Sequence, residues 1–202
     1  MKTLTIGTIN EAKVKQIRGA LLSLGIEVNG VENKSLLPVV EEDGSTAQEN
    51  AKKKAVAYAR VLDRVVLSMD NALFIDGLSS SQQPGINVRR INGRTDRPCD
   101  NELLKYYCSM IAKFGQRVNG HWEFAVCVAN SKSEFKETTI ISPRVFVAKA
   151  SPVMIPGYPL ESIQIDPESD KYISEMSQNE QDAFWQKVIG WQLCDFVKSI
   201  EF

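Results

Sequence analysis

Histidine is almost missing from this 202-residue chain, and with it go several routes to catalysis. A single histidine, His121, excludes multi-histidine metal centres and leaves any serine or cysteine triad resting on one side chain. His121 precedes the alternating stretch WEFAVCVAN and reads as the start of a strand. The four cysteines, Cys99, Cys108, Cys127 and Cys194, are scattered without a C-x-x-C pair. That spacing argues against zinc and against a disulfide framework, and for a reduced, cytoplasmic setting. No apolar run reaches the length of a membrane span, and Met1 and Lys2 lead straight into a strand rather than into a signal peptide. Charge of one sign is also lacking. A formal net charge of −1 offers no basic surface for a nucleic-acid polymer, although a few local lysines suffice for a small anion. Repeats, heptads and low-complexity tracts are absent too. What remains for chemistry is carboxylates, lysines and a hard metal ion.

With 43% hydrophobic residues the chain is rich enough to bury a core, and one continuous domain over residues 1–202 is expected. Residues 3–7 read as a buried strand. From Asn10, apolar residues recur at helical spacing (Val14, Ile17, Leu21, Leu24), and Gly25 closes that helix. A second strand is expected over 26–31. Thr46-x-x-Glu49 is a capping-box pattern opening a long helix with Ala51, Ala55, Ala59 and Leu62 on one face. RVVLSM reads as a strand ending at Asp70, and residues 79–97, rich in Gly, Ser, Pro and Gln, as an irregular loop too long to be idle. A helix over 102–114 follows. WEFAVCVAN and EFKETTII form a hairpin, RVFVAKA a further strand, and 179–200 a last helix. Early alternation of strands and helices followed by hairpins argues an α/β chain with a mixed sheet.

Three places set polar groups at the ends of these elements. Thr8, Asn10 and Lys13 surround the start of the first helix, where unpaired N–H groups and the helix dipole favour an anion. Taken alone, Asn10 is equally an ordinary N-cap and Lys13 an ordinary surface lysine. In EEDGSTAQENAKKKA, Glu41 precedes a turn at Gly44, and Asn50 and Lys54 fall one helical turn apart on one face. Lys52, Lys53 and Lys54 point about 100° apart, so at most one or two can serve a common site. Asp70 ends an apolar strand, where mixed sheets commonly present catalytic groups, whereas Asp76 reads as a turn residue.

The combination resembles the inosine triphosphate pyrophosphatase family, which hydrolyses non-standard purine nucleoside triphosphates to monophosphate and pyrophosphate. Its T-x-N-x-x-K is matched by Thr8, Asn10 and Lys13, and its E-x-x-G-x-T-x-x-E-N-A-x-x-K-A by Glu41, Gly44, Thr46, Glu49, Asn50, Ala51, Lys54 and Ala55. Its strand ending in two acids is Met69-Asp70 here. Its Pro-Gly loop with a following basic residue is Pro84, Gly85 and Arg89, its central strand FAVCVA, and its K-T-x-A-E-M segment KYISEMS. The likeness spans nearly the whole chain in order.

The departures gather on the base side. The first of the paired acids is Met69. F-G-Y-D-P survives only as Pro156-Gly157-Tyr158-Pro159, without the aspartate. The lysine, histidine and arginine that grip the purine are Gln181, Gln186 and Lys187. The resemblance implies a long curved mixed sheet flanked by helices, with two lobes around a central cleft, and a homodimer. It implies Mg²⁺ held by Glu41 and Asp70 against a triphosphate; Lys13, Lys54 and Arg89 neutralise charge near the α–β bridge. Asp70 helps orient water, and Thr8, Asn10 and Asn50 contribute to substrate binding. Base preference does not carry over, because selection depends on placed donors and acceptors that are replaced. Two alternatives stand beside this reading. One is a nucleotide-binding protein with weak or no turnover, which the loss of an acid at Met69 favours. The other is a hydrolase of another phosphate ester or of a modified pyrimidine nucleotide, with Phe184, Trp185 or Tyr158 stacking on a base or serving as core.

Overall fold

A computed structural model of the chain describes residues 3–91, 94 and 96–201. It contains a six-stranded sheet in the order β2-β1-β3-β4-β5-β6. The strands are β1 (Thr3–Ile6), β2 (Glu27–Gly30), β3 (Val66–Ile75), β4 (Arg117–Ala129), β5 (Phe135–Val147) and β6 (Gln164–Ile165). β1 pairs in parallel with β2 and β3, while β5 and β6 run antiparallel, so the sheet is mixed as expected. The helices are α1 (Glu11–Ala20), α2 (Ala47–Leu62), α3 (Asp100–Ile111), α4 (Gln178–Trp185) and α5 (Trp191–Lys198). Two compact units share these elements.

The first unit takes residues 1–71, 123–141 and 182–202. β1 buries Leu4, Thr5 and Ile6 and runs into Gly7, whose N–H donates to the Leu67 carbonyl at 2.7 Å. A Cβ at Gly7 would lie 2.6 Å from Val66 Cγ1 and 2.8 Å from Tyr58 Cδ2, so only glycine lets the backbone pass. α1 buries Val14, Ile17 and Ala20, tightens into a 3₁₀ turn at Leu22–Leu24, and stops at Gly25 in the left-handed region (φ 72°). α2 buries Ala47, Ala51, Ala55 and Ala59, and alongside them Asn50, Lys54 and Tyr58 at four-residue spacing.

Two expectations about strands need correction. β3 does not end at Asp70. It continues to Ile75 because Ala72, Leu73 and Ile75 are apolar and buried, which leaves Asp70 in mid-strand. EFKETTII and RVFVAKA are one strand, β5, and Pro143 does not break it: Ser142 and Arg144 on either side are buried, and Arg144 Nη1 donates to Ser142 Oγ at 2.5 Å and to the Pro143 carbonyl at 2.8 Å. The last helix is likewise not uniform. A π-helical turn, Gln186–Gly190, separates α4 from α5. α1 approaches closely here: a Cβ at Gly190 would stand 2.8 Å from the Ala20 carbonyl, and one at Gly19 would stand 2.6 Å from Asp182 Oδ1. Such a widened turn within a helix marks local crowding that periodicity does not announce.

The second unit takes residues 72–122 and 142–181. Leu103, Tyr107, Met110 and Ile111 of α3 pack with Leu73, Ile75, Phe146, Leu160 and Ile163. The 79–97 segment is far from idle. Ser79 and Gln82 form a capping box around Ser80–Gln82, and the Gln83 amide pairs with both the N–H (2.8 Å) and the carbonyl (2.9 Å) of Ile75. Gly85 exchanges two hydrogen bonds with Leu73, at 2.9 and 3.0 Å, and Val88 and Ile91 enter the core. Burial of side chains this size contributes about 1.5–3 kcal/mol each, enough to hold the loop down. Its residues Asn92, Gly93 and Thr95 lie outside the described residues.

Candidate functional site

In the first unit, the middle of β3 gathers charge. Lys13, one turn into α1, donates from Nζ to the Met69 carbonyl at 3.0 Å. Lys54, about two turns into α2, donates from Nζ to Asp70 Oδ1 at 2.9 Å and to Glu42 Oε1 at 3.2 Å. Burial opposes the charge on Lys54, but the Asp70 and Glu42 carboxylates outweigh it and hold the ammonium above its usual range. Asp70 uses one oxygen for this pair, and its Oδ2 takes no hydrogen bond from the described residues. Met69, where the resemblance expects an acid, turns its side chain into the core and is 2% exposed. Of the three adjacent lysines only Lys54 joins this cluster; Lys53 pairs with Asp43, and Lys52 lies over the Phe135 ring at 3.9 Å. Their 100° spacing requires such a division.

The acidic loop before α2 is strapped to that helix rung by rung. Gly44 N–H donates to Asn50 Oδ1 at 2.8 Å, Ser45 N–H to Glu49 Oε2 at 2.7 Å, Lys53 reaches Asp43 at 2.5 Å, and Lys54 reaches Glu42. Thr46 caps the helix by accepting from Glu49 N–H at 3.2 Å, but the Glu49 carboxylate returns to Ser45 rather than to Thr46. Asn50 is buried, with its oxygen committed to Gly44. Glu41 is exposed on this loop. At the other corner, Asn10 Oδ1 accepts from the Ala12 and Lys13 N–H groups at 2.9 and 3.3 Å, and Thr8 Oγ1 accepts from Asn10 N–H at 3.2 Å. Asn10 is therefore a working N-cap, and Thr8 shapes the turn that presents Lys13.

In the second unit, Arg89 Nη2 donates to Asp100 Oδ1 at 2.5 Å, and Gly157 N–H donates to Asp100 Oδ2 at 3.0 Å. Partial burial works against the Asp100 charge, yet Arg89 and the Gly157 N–H hold the carboxyl below its usual range. The Gln181 amide donates to the carbonyls of Ile173 (3.4 Å) and Met176 (3.2 Å), and Lys171 pairs with Glu180 at 2.9 Å. Two buried ionisable side chains, Arg144 and Glu161, lie in the same unit. Burial pushes Glu161 up to about 8 while Arg144 pulls the other way. Phe184 and Trp185, the stacking candidates, are core residues of the first unit: their rings meet edge to face at 5.1 Å, and Trp185 meets Phe124 likewise at 6.4 Å.

Sequence reasoning passed over Glu42, Tyr58 and Asp100. Tyr58 had a signal, its position four residues after Lys54 on the same helical face, and the nearby Lys54 and Glu42 charges bear on its hydroxyl, which burial raises. Glu42 and Asp100 carried none beyond being acids near a site. Among the described residues no group of three or more His, Cys, Asp and Glu side chains is arranged to hold a metal ion.

A family model described as the Ham1 family matches residues 4–186. A dITP/XTP pyrophosphatase of Streptococcus agalactiae serotype V is 32% identical over 133 residues, covering 65% of this chain and 40% of the relative. This chain thus spans well under half the length of those streptococcal relatives. A dITP/XTP pyrophosphatase of Geobacillus kaustophilus is 26% identical over 213 residues, covering 94% of this chain and 97% of the relative. Among solved structures, a HAM1 protein from Coxiella burnetii superposes with a TM-score of 0.70 at 20% identity over 99% of this chain and 100% of its own. The dITP/XTP pyrophosphatase from Mycobacterium abscessus gives 0.62 at 17% identity over 96% and 98%. Both likenesses show the fold that the family resemblance implies.

Proposed function

The chain belongs to the Ham1 family, and we propose that it hydrolyses nucleoside triphosphates to monophosphate and pyrophosphate, with a base preference altered from that of its relatives. The observation that carries the reading is the convergence of two lysines from two helices on consecutive residues of one strand, Lys13 on Met69 and Lys54 on Asp70. Ammonium groups fixed in this way meet a polyphosphate without further ordering, which is where electrostatic preorganisation contributes most. The names of the relatives, dITP/XTP pyrophosphatases, support a non-standard purine triphosphate as the substrate class.

The chemistry of the assigned donors, carboxylate oxygens, is that of a hard divalent cation. Asp70 Oδ2 and the exposed Glu41 carboxylate are oxygen donors, and Mg²⁺ takes one or two carboxylates with water and phosphate oxygens completing its shell. Bound there, Mg²⁺ would supply positive charge against the phosphate oxygens. The chain's own groups do the rest. Lys13 and Lys54 counter charge building on the bridging oxygen as the bond between it and the α-phosphorus breaks, with Arg89 a further cation for phosphate oxygens. Asp70 helps orient the attacking water, whose proton passes to solvent as its oxygen bonds to the α-phosphorus. Thr8 and Asn10 bind phosphate at the α1 corner. Asn50 acts one step back, fixing Gly44 and so the acidic loop. Altered base preference is supported by Gln181, whose amide is spent on two backbone carbonyls, and by Pro159 in place of an acid. Residues 1–202 act as one functional domain, working as a homodimer in the cytoplasm.

Pyrophosphate and orthophosphate release from standard and modified nucleoside triphosphates, with Mg²⁺ and with EDTA, tests the proposal. Metal-dependent pyrophosphate release from at least one triphosphate is expected. Release of orthophosphate alone, or no release, contradicts it.

A further inference from the structure

We propose that Asp100 is a positioning residue that aims Arg89 and ties it to the turn at 155–158, so that the two behave as one recognition element. This rests on the reading of the site as a triphosphate site. The two oxygens of Asp100 are divided: Oδ1 accepts from Arg89 Nη2 at 2.5 Å and Oδ2 from Gly157 N–H at 3.0 Å. Arg89 is anchored at one end only. Among the described residues its other donors take no hydrogen bond, and its side chain is 34% exposed, so a held but unsaturated guanidinium faces outward. A planar fork fixed in this way suits phosphate oxygens, which it can meet with two donors.

The other partner is equally well built. Tyr158 N–H closes on the Ile155 carbonyl at 2.9 Å, with Pro156 and Gly157 at the corners and Gly157 at φ 83°, a conformation other residues adopt only under strain. Asp100 opens α3, where the helix dipole favours its charge, and the helix is anchored by Leu103 and Tyr107 in the core. Tyr107 Oη also donates to the Val88 carbonyl at 3.0 Å, one residue before Arg89. α3 therefore grips the Arg89 loop at two points while Asp100 grips the turn. The turn carries Tyr158 and Pro159, where the base side of the sequence departs from its relatives. Any shift of Asp100 moves the phosphate cation and this turn together.

The test is a double-mutant cycle of Asp100→Asn and Arg89→Gln in the full chain, read by steady-state kinetics and by calorimetric binding of a panel of nucleoside triphosphates. Asp100→Asn is expected to raise KM, and the calorimetric Kd with it, about tenfold with kcat within about twofold, and to change the ranking of bases. In the Arg89→Gln background it should add almost nothing to KM. Asp100→Glu, which restores the charge, should recover most of the affinity. Additive effects, or a lowered melting temperature with KM and base ranking unmoved, overturn the assignment while leaving the pyrophosphatase reading intact. A wild type that binds without turnover carries the same cycle on Kd alone. A wild type that neither hydrolyses nor binds any triphosphate overturns both.

Discussion

Asn50 illustrates how a side chain can matter to a site it need not touch. Its oxygen accepts the Gly44 N–H inside a buried corner, and a Cβ at Gly44 would fall 2.6 Å from that oxygen, so the two residues are matched. Asn50→Ala leaves the Gly44 N–H without its acceptor, which costs about 1–3 kcal/mol. Urea unfolding should show that loss, and KM for the triphosphate should rise as the loop bearing Glu41 and Glu42 loosens. Unchanged stability together with unchanged KM would contradict the role. At this scale the sequence was a good guide to which residues lie near one another on a helix: Asn50, Lys54 and Tyr58 share a buried side because they are four apart. It could not say which acid Lys54 would choose. Glu41, Glu42 and Asp43 are adjacent in a loop, and only the strapping to α2 assigns Glu42 to Lys54 and Asp43 to Lys53.

Among the elements, the π-helical turn at Gln186–Gly190 is the least ordinary. Glycine there forgoes about 1 kcal/mol of helix propensity relative to alanine. Contact with α1 outweighs it, since an alanine Cβ would press on the Ala20 backbone oxygen at 2.8 Å, and backbone yields little. Gly190→Ala is therefore expected to destabilise by about 1–3 kcal/mol and to lower the melting temperature by several degrees. A melting temperature that holds or rises would show that the helix, not the contact, governs the position. The ends of strands were the other element-level surprise. Asp70 looked like a terminus because one polar residue after an apolar run usually is one. β3 passes through it because Leu73 and Ile75 have core to enter, a fact of tertiary packing. The caps of α1 and α2 were legible because they depend on neighbours two or three residues away.

For the molecule as a whole, pH tests the buried carboxyl group of the second unit. Burial raises Glu161 to about 8 in the folded chain from an ordinary 4.5, so the folded state holds a proton that the unfolded state has released. Stability from this group is complete below about pH 4.5 and is lost as pH rises through about 8, by up to about 1.4 kcal/mol per pH unit. Urea midpoints measured from pH 5 to 8.5 should fall with pH, and Glu161→Gln, which keeps the side chain neutral at every pH, should flatten that slope. A slope unaffected by Glu161→Gln would contradict the assignment.

If Asp70 carries the chemistry, pyrophosphate release from dITP or XTP with Mg²⁺ will separate the wild type from Asp70→Asn. The asparagine keeps an acceptor for Lys54, so the fold should survive with little change in melting temperature. Loss of the carboxylate should cut kcat by at least about a hundredfold. A folded Asp70→Asn variant that releases pyrophosphate as fast as the wild type would show that the chemistry lies elsewhere.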